Sequence, residues 1–204
     1  MTYYVVKYSG PFGYIKPWTA VRDSETFSQQ FLTPSIIEGI EKKLFPELLA
    51  QEGVISRIRR HRLNYQGIDS QQERTWSKGG FRAVKKKDDL GRVYFQADNM
   101  SILTRGILLN PNLYLAFDRE QDALEALEQH ICLCRNEDLL LGESVLQLTE
   151  EQFDTIDGFE LLFTEAIEGF KVGHNRFQHG KEMYGTLKVF GNPIRALLTE
   201  NIND

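Results

Sequence analysis

Phe31-Leu32-Thr33-Pro34-Ser35-Ile36-Ile37-Glu38-Gly39-Ile40 reads as the start of a helix. Thr33 can cap it, and Pro34 suits the first helical position, where its missing N–H would find no partner anyway. Ile36, Ile37, Ile40 and Leu44 then recur at helical spacing, which predicts a helix over 34–49, closed by Gly53. Upstream, Thr2 to Tyr8 is β-branched and aromatic with a period of two and predicts a strand, ended by the Ser9-Gly10-Pro11-Phe12-Gly13 turn. Downstream, Val54 to Tyr65 predicts a second strand, unusual in carrying Arg57-Ile58-Arg59-Arg60-His61-Arg62. On an extended chain Arg57, Arg59 and His61 share one face, and Ile58, Arg60 and Arg62 the other. Both faces cannot be core, so one is expected to meet solvent or a ligand, for which phosphate suits an arginine-lined face.

The next stretch, Gly67 to Arg92, is polar and holds Gly79-Gly80, Lys85-Lys86-Lys87 and Asp88-Asp89. Loops of that length are uncommon unless functional, and Trp76 and Phe81 flanking Gly79-Gly80 predict a hairpin with aromatic faces on an extended arm. Val93 to Phe117 supplies more strand around an Asn110-Pro111-Asn112 turn. Asp118 with Gln121 resembles a capping box, and Leu124, Leu127, Ile131 and Cys134 predict a second helix over 119–135. Strand, helix, strand, arm, strand, helix is the order of an α+β, ferredoxin-like (RRM-like) βαββαβ unit, completed by a strand after Leu139. The division expected is a domain over 1–150, its basic arm at about 66–98, and a C-terminal extension over 151–204 with short strands at Met183–Phe190 and Ile194–Leu198.

A chain of 204 residues, 41% hydrophobic and 26% charged, buries a sizeable core and is not disordered in composition. No run approaches eighteen apolar residues, and the N-terminus lacks the features of a signal peptide, so a cytoplasmic protein without a membrane span is expected. Cys132 and Cys134, two apart in a predicted helix, point apart and are expected to be buried, reduced thiols. The net charge of -5 by itself argues against a polyanionic partner, but the charge is unevenly distributed. Arg57 to Arg92 holds eleven basic residues against four acids, which is +7 and leaves -12 for the remainder. Such separation suggests a localised polyanion site.

Catalytic patterns are sparse. His174 and His179, in Gly173-His174-Asn175-Arg176-Phe177-Gln178-His179-Gly180, lack neighbouring ligands for zinc and suggest a polar loop touching RNA or a partner, or an inert surface loop. His130 lies near the inner stripe of the second helix and is expected to be packed. His61, among four arginines, should be held neutral by neighbouring cations. Glu150-Glu151 and Asp154-Asp157 fit the first turns of a solvated helix. No GxxxxGK[ST] or GxSxG motif occurs, and neither metal nor cofactor is expected.

Ser9-Gly10-Pro11-Phe12-Gly13-Tyr14-Ile15-Lys16-Pro17, followed by Phe31-Leu32-Thr33-Pro34-Ser35-Ile36-Ile37-Glu38-Gly39-Ile40, resembles the start of CRISPR-associated RAMP proteins of the Cas-five family. That family caps the 5′ end of CRISPR RNA in Cascade-like effectors. Asn99-Met100-Ser101-Ile102-Leu103-Thr104-Arg105-Gly106-Ile107-Leu108 resembles its strand after the basic arm. Pro193-Ile194-Arg195-Ala196-Leu197-Leu198-Thr199-Glu200-Asn201 resembles the C-terminal strand of its compact type I-C branch; a type IV effector also suits so short a chain. The resemblance implies a RAMP domain whose β-hairpin thumb holds the single-stranded 5′ handle of crRNA beside the large and backbone subunits. No membrane and no small-molecule substrate are implied.

RNA contacts are then expected from Tyr14, Lys16, Gln29 and Ser35, from Arg57, Arg59, Arg60, His61 and Arg62, from Arg74, Trp76, Lys78, Phe81, Arg82, Lys85, Lys86 and Lys87 on the thumb, and from Arg105. The type I-C member also cuts precursor RNA with a tyrosine before the Thr-Pro-Ser element and an adjacent lysine and histidine. Here Gln29 stands at the tyrosine's place, and the arm has Lys85-Lys86-Lys87 without a histidine, which implies a binding subunit with no catalytic residues. Two alternatives stay open: a metal-independent endoribonuclease for repeat RNA, drawing on Tyr14, Tyr65, His61 and Lys85, or a protein-interaction module with a basic loop.

Overall fold

Alternation in the first strand already requires two cores. In β1 (Thr2–Ser9), Val6 and Tyr8 point into one apolar cluster while Tyr3 and Val5 point into another, so neither face of its sheet is open there. The computed structural model describes residues 1–18, 24–76, 83–97 and 100–195, the side chains of Trp76, Ala97 and Met100 excepted.

After the two-residue β2 (Phe12–Gly13) and the short β3 (Glu25–Phe27), α1 runs Pro34–Leu44 with Pro34 in its first turn. It stops five residues before the predicted end because Phe45 precedes Pro46, and a residue before proline is pushed out of the helical region. A 3-10 turn, Pro46–Leu48, follows. Ile37, Ile40 and Leu44 are buried as expected, but so are Glu38 and Glu41. Glu41 accepts the backbone N–H groups of Ser56, Arg57 and Ile58, and so ties the approach to β4 (Ile58–Asn64) onto the helix.

An arm leaves the body after β4. β5 (Gly67–Trp76) pairs with β8 (Met100–Leu109) along ten consecutive residue pairs, a ladder roughly 30 Å long at strand rise. On the other edge of β8 lie β2, antiparallel, and β3, parallel. The hairpin of β6 (Ala83–Lys87) and β7 (Val93–Ala97) belongs to the same insertion. Its turn is Asp88–Arg92, where Asp88 accepts the Leu90 and Arg92 backbone N–H groups and Gly91 takes φ 75. The turn predicted at Gly79-Gly80 lies outside the described residues.

The chain returns through β9 (Asn112–Phe117) to α2 (Glu120–Leu127), which begins after Arg119 with no side-chain cap, so Asp118 and Gln121 form no capping box. Nor does the helix reach 135. Ile131–Cys132 is β10, paired with β11 (Leu139–Thr149). The capping box stands instead at Thr149 and Gln152, opening the short α3 (Glu150–Asp154). His130, expected to be packed, is exposed once the helix ends before it.

β12 (Gly158–Thr164), β13 (Phe170–Asn175) and β14 (Lys181–Phe190) complete an eight-stranded sheet of order β10-β11-β1-β9-β4-β12-β14-β13, with all neighbours antiparallel. One face packs residues from α1 and α2 over Val6, Tyr8, Leu63, Leu115 and Phe117. Phe153 of α3 covers Tyr3, Val5 and Ala116 on the other. The C-terminal strands extend the same sheet beyond β4, and Tyr65 forms a parallel bridge to Ile194; residues 196–198 lie outside the described residues.

Candidate nucleic-acid interface

The arginine strand is interior. A β-bulge at Arg59 shifts the β4–β9 register between Ile58 and Arg60, so alternation changes phase inside the motif. Ile58, Leu63 and Tyr65 face the helical core, whereas Arg60 and Arg62 face α3 and β12. Arg60 donates to both oxygens of Glu160, at 2.7 and 2.6 Å, and to Asp154 at 2.8 Å. Arg62, 0% exposed, donates to the Ile156 carbonyl at 2.6 Å and to Glu160 at 3.2 Å, and its guanidinium lies 3.5 Å from the Phe190 ring centre. Gly158 leaves room for the Arg62 stem, which a Cβ there would meet at 2.6 Å. Arg57 is paired with Glu47 and Asp122, and Arg59, the most exposed of the four, with Asp118. Of the residues expected at RNA, Arg57, Arg60 and Arg62 are thus engaged by carboxylates of this chain, and His61 is buried at 4% exposure. Arg59 too is already paired.

His61 is neutral, as expected, but for a different first reason. Burial pushes its pKa down to about 4, with the Arg62 and Arg60 charges adding to that and Glu160 opposing it. It accepts from the Leu161 N–H and stacks on Phe163. The other groups of an acid–base alternative stand elsewhere. Tyr65 donates to Gln30 and stacks on Phe159, its pKa pushed up to about 12 by burial. Tyr14 is 3% exposed, and Gln29, which stands in the place of the family's tyrosine, is 9% exposed and donates to the Phe31 carbonyl. Lys85 sits on the exposed hairpin.

That hairpin is the strongest candidate surface. Lys85 pairs across from Phe95, and Lys86 from Tyr94, so each face of the ribbon sets a lysine beside an aromatic ring. Phe95 is 70% exposed, and Lys85, Lys86 and Lys87 form no ion pair among the described residues; Arg92 is paired with Asp88. Cations next to exposed rings are what unpaired bases and phosphates require. At the base of the arm, the buried Tyr14 ring lies 5.7 Å from the Arg105 guanidinium and 5.5 Å from that of Arg135. Arg105 is held by Glu73 and Thr26, and Arg135 by Asp138 and Gln71. Tyr14, 3% exposed, supports these arginines and offers no ring to a base. Arg74 is exposed on β5; Lys78, Phe81, Arg82 and the Trp76 side chain lie outside the described residues.

Lys16 and Ser35, both candidates from the sequence, come together in the fold with partners that were not. They line a cavity of about 420 Å³ together with Lys43, Arg176, Ile36, Ile131 and Cys134. Arg176 arrives on the loop after β13, which Asn175 fastens by donating to buried Glu38. Gly39 admits it: a Cβ there would meet the Arg176 Nη2 at 2.9 Å. The His-containing loop thus packs on α1. Among the described residues, no group of three or more His, Cys, Asp or Glu is placed to hold a metal ion, and no helix is long and apolar enough to cross a membrane.

No family model matches this sequence, and no curated protein matches it. Among solved structures, the fold is similar to a chain of a CRISPR RNA-guided surveillance complex, with a TM-score of 0.52 at 10% identity over 94% of this chain and 91% of that one. At such identity the likeness concerns the fold.

Proposed function

We propose that this chain is an RNA-binding protein, and specifically a subunit of a CRISPR ribonucleoprotein effector that holds the 5′ handle of crRNA. The arm carries this reading, with Lys85, Lys86 and Lys87 exposed, without an ion pair among the described residues, and interleaved with Tyr94 and Phe95. The fold supports it. Strands β11-β1-β9-β4, with α1 after the first and α2 after the third in chain order, have the 4-1-3-2 order of a ferredoxin-like βαββαβ unit. The arm is inserted between the second and third strands of that unit, which supports reading it as a RAMP thumb, and the surveillance-complex likeness spans nearly the whole chain. In this reading the Cas-five resemblance at Thr33-Pro34-Ser35 gives the family, and the acidic remainder faces large and backbone subunits.

The protein binds without cutting. His61 and Tyr65 are in the core and Gln29 is engaged with backbone, whereas Lys85 is exposed on the arm. The test is to purify the effector with Lys85, Lys86 and Lys87 changed to Glu. The variant should lose crRNA and its A260/A280 ratio should fall, and undiminished RNA would overturn the proposal. Incubating the wild-type chain with repeat RNA in chelator should leave the RNA intact.

A further inference from the structure

We propose that the groove between α1, β10 and the 175–180 loop seats one nucleotide of the single-stranded RNA, its phosphate held by Lys16, Lys43 and Arg176. This deepens the RNA-binding reading above and rests on it.

The groove's charge is the first argument. Outside 57–92 the chain carries -12, yet no carboxylate lines this cavity or the adjoining one of about 490 Å³, which shares Gly39, Lys43 and Arg176 with it. Lys16, Lys43 and Arg176 are exposed and form no ion pair among the described residues. Unpaired cations gathered in a concavity of an acidic protein focus positive potential there.

The second argument is construction. Buried Glu38 accepts from Lys42 at 2.8 Å, from the Gly53 N–H at 2.7 Å and from Asn175 at 3.1 Å, locking the loop to the helix. Phe177 is flanked by Lys42 at 4.0 Å and Arg176 at 4.7 Å, which fixes where the guanidinium emerges. The cations are thus presented by ordered backbone.

Size and lining choose the ligand. A volume of about 420 Å³ falls in the usual range of small-molecule sites and exceeds what a bare phosphate fills. Ile36, Ile40, Ile131 and Leu133 offer an apolar wall for base and ribose. Lys16 follows Tyr14 by two residues, and the Tyr14 ring lies beside Arg105 and Arg135 at the arm's base, so cationic groups run from the arm toward the groove.

Cys132 and Cys134 line the same cavity and serve as reporters. The rate at which a chromogenic disulfide modifies Cys134 should drop several-fold when the full chain is saturated with a short single-stranded RNA, with binding followed separately by fluorescence anisotropy. Lys43→Glu with Arg176→Glu should abolish the protection while leaving the melting temperature in place. Lys85→Glu with Lys86→Glu should raise the RNA concentration needed and retain protection at saturation. RNA binding with no change in Cys134 labelling would overturn the groove and leave the arm's role standing. Failure of the wild-type chain to bind any RNA would overturn both. Equal protection by inorganic phosphate or by an acidic peptide would overturn the nucleotide assignment.

Discussion

Glu160 is 1% exposed and answers two arginines, one of them fully buried. Burial pushes its carboxyl pKa up, but the Arg60 hydrogen bonds and the charges of Arg60 and Arg62 outweigh that and hold it below the usual carboxylate range. Removing one partner of a buried pair strands the other charge, so Glu160→Gln should cost about 3–5 kcal/mol in urea unfolding. An unaltered midpoint would mean that Arg60 and Arg62 find their support elsewhere. His61 adds a separate acid sensitivity. With a folded pKa of about 4, the native state refuses a proton that the unfolded chain accepts at roughly 6.5. Stability is therefore fully present above that value and declines as pH falls between the two, by on the order of 3 kcal/mol. His61→Phe should flatten the slope of unfolding free energy from pH 7 to pH 4.5, and an unchanged slope would exclude His61 as its source.

Among elements, the β6–β7 hairpin is exposed on every described side chain except Asp88, so charge reversal at Lys85, Lys86 and Lys87 should leave thermal stability within about 0.5 kcal/mol. RNA affinity should fall, and the slope of log K against log salt should shrink by about 2, near 0.7 for each lost phosphate contact on a single strand. Phe95→Ala should cost about 1–3 kcal/mol of binding if a base stacks there. The arm was legible in the sequence because a long polar insertion between apolar strands has few other uses. The fate of the arginines was not. The counter-charges of Arg60 and Arg62 come from Glu160 and Asp154, about a hundred residues away, and nothing in Arg57–Arg62 announces the bulge at Arg59. α2 was overextended because Leu124, Leu127, Ile131 and Cys134 satisfy helical spacing equally well when the last two belong to a sheet edge and a turn. Its inward face is Ala123 and Ala126, close enough for the Tyr8 hydroxyl to donate to the Ala126 carbonyl. Arg176 and Lys43 were missed because contacts between segments more than a hundred residues apart, Asn175 to Glu38, Gln178 to Gly53 and Lys42 to Phe177, bring them together.

At the scale of the whole molecule, the proposed RNA binding needs a surface that the fold leaves open. In an RRM-type sheet, bases stack on aromatics of the open face. Here Phe153 packs over Tyr3, Val5 and Ala116, while Arg60, Arg62, Glu160 and Asp154 fill the ground beside it. Opening that face would break a buried ion network and an apolar contact together, a cost that surface phosphate contacts do not offset. The arm and the α1 groove require no such opening. Ultraviolet crosslinking of bound single-stranded RNA should therefore map to Phe95 and Tyr94 on the hairpin, with peptides from 31–45 or 174–181 as a second cluster. Tyr3, Tyr114 and Phe153 should stay unmodified. Crosslinks concentrated at Tyr114 or Phe153 would instead mean that α3 swings away on binding, and the arm would then be a device for protein contacts.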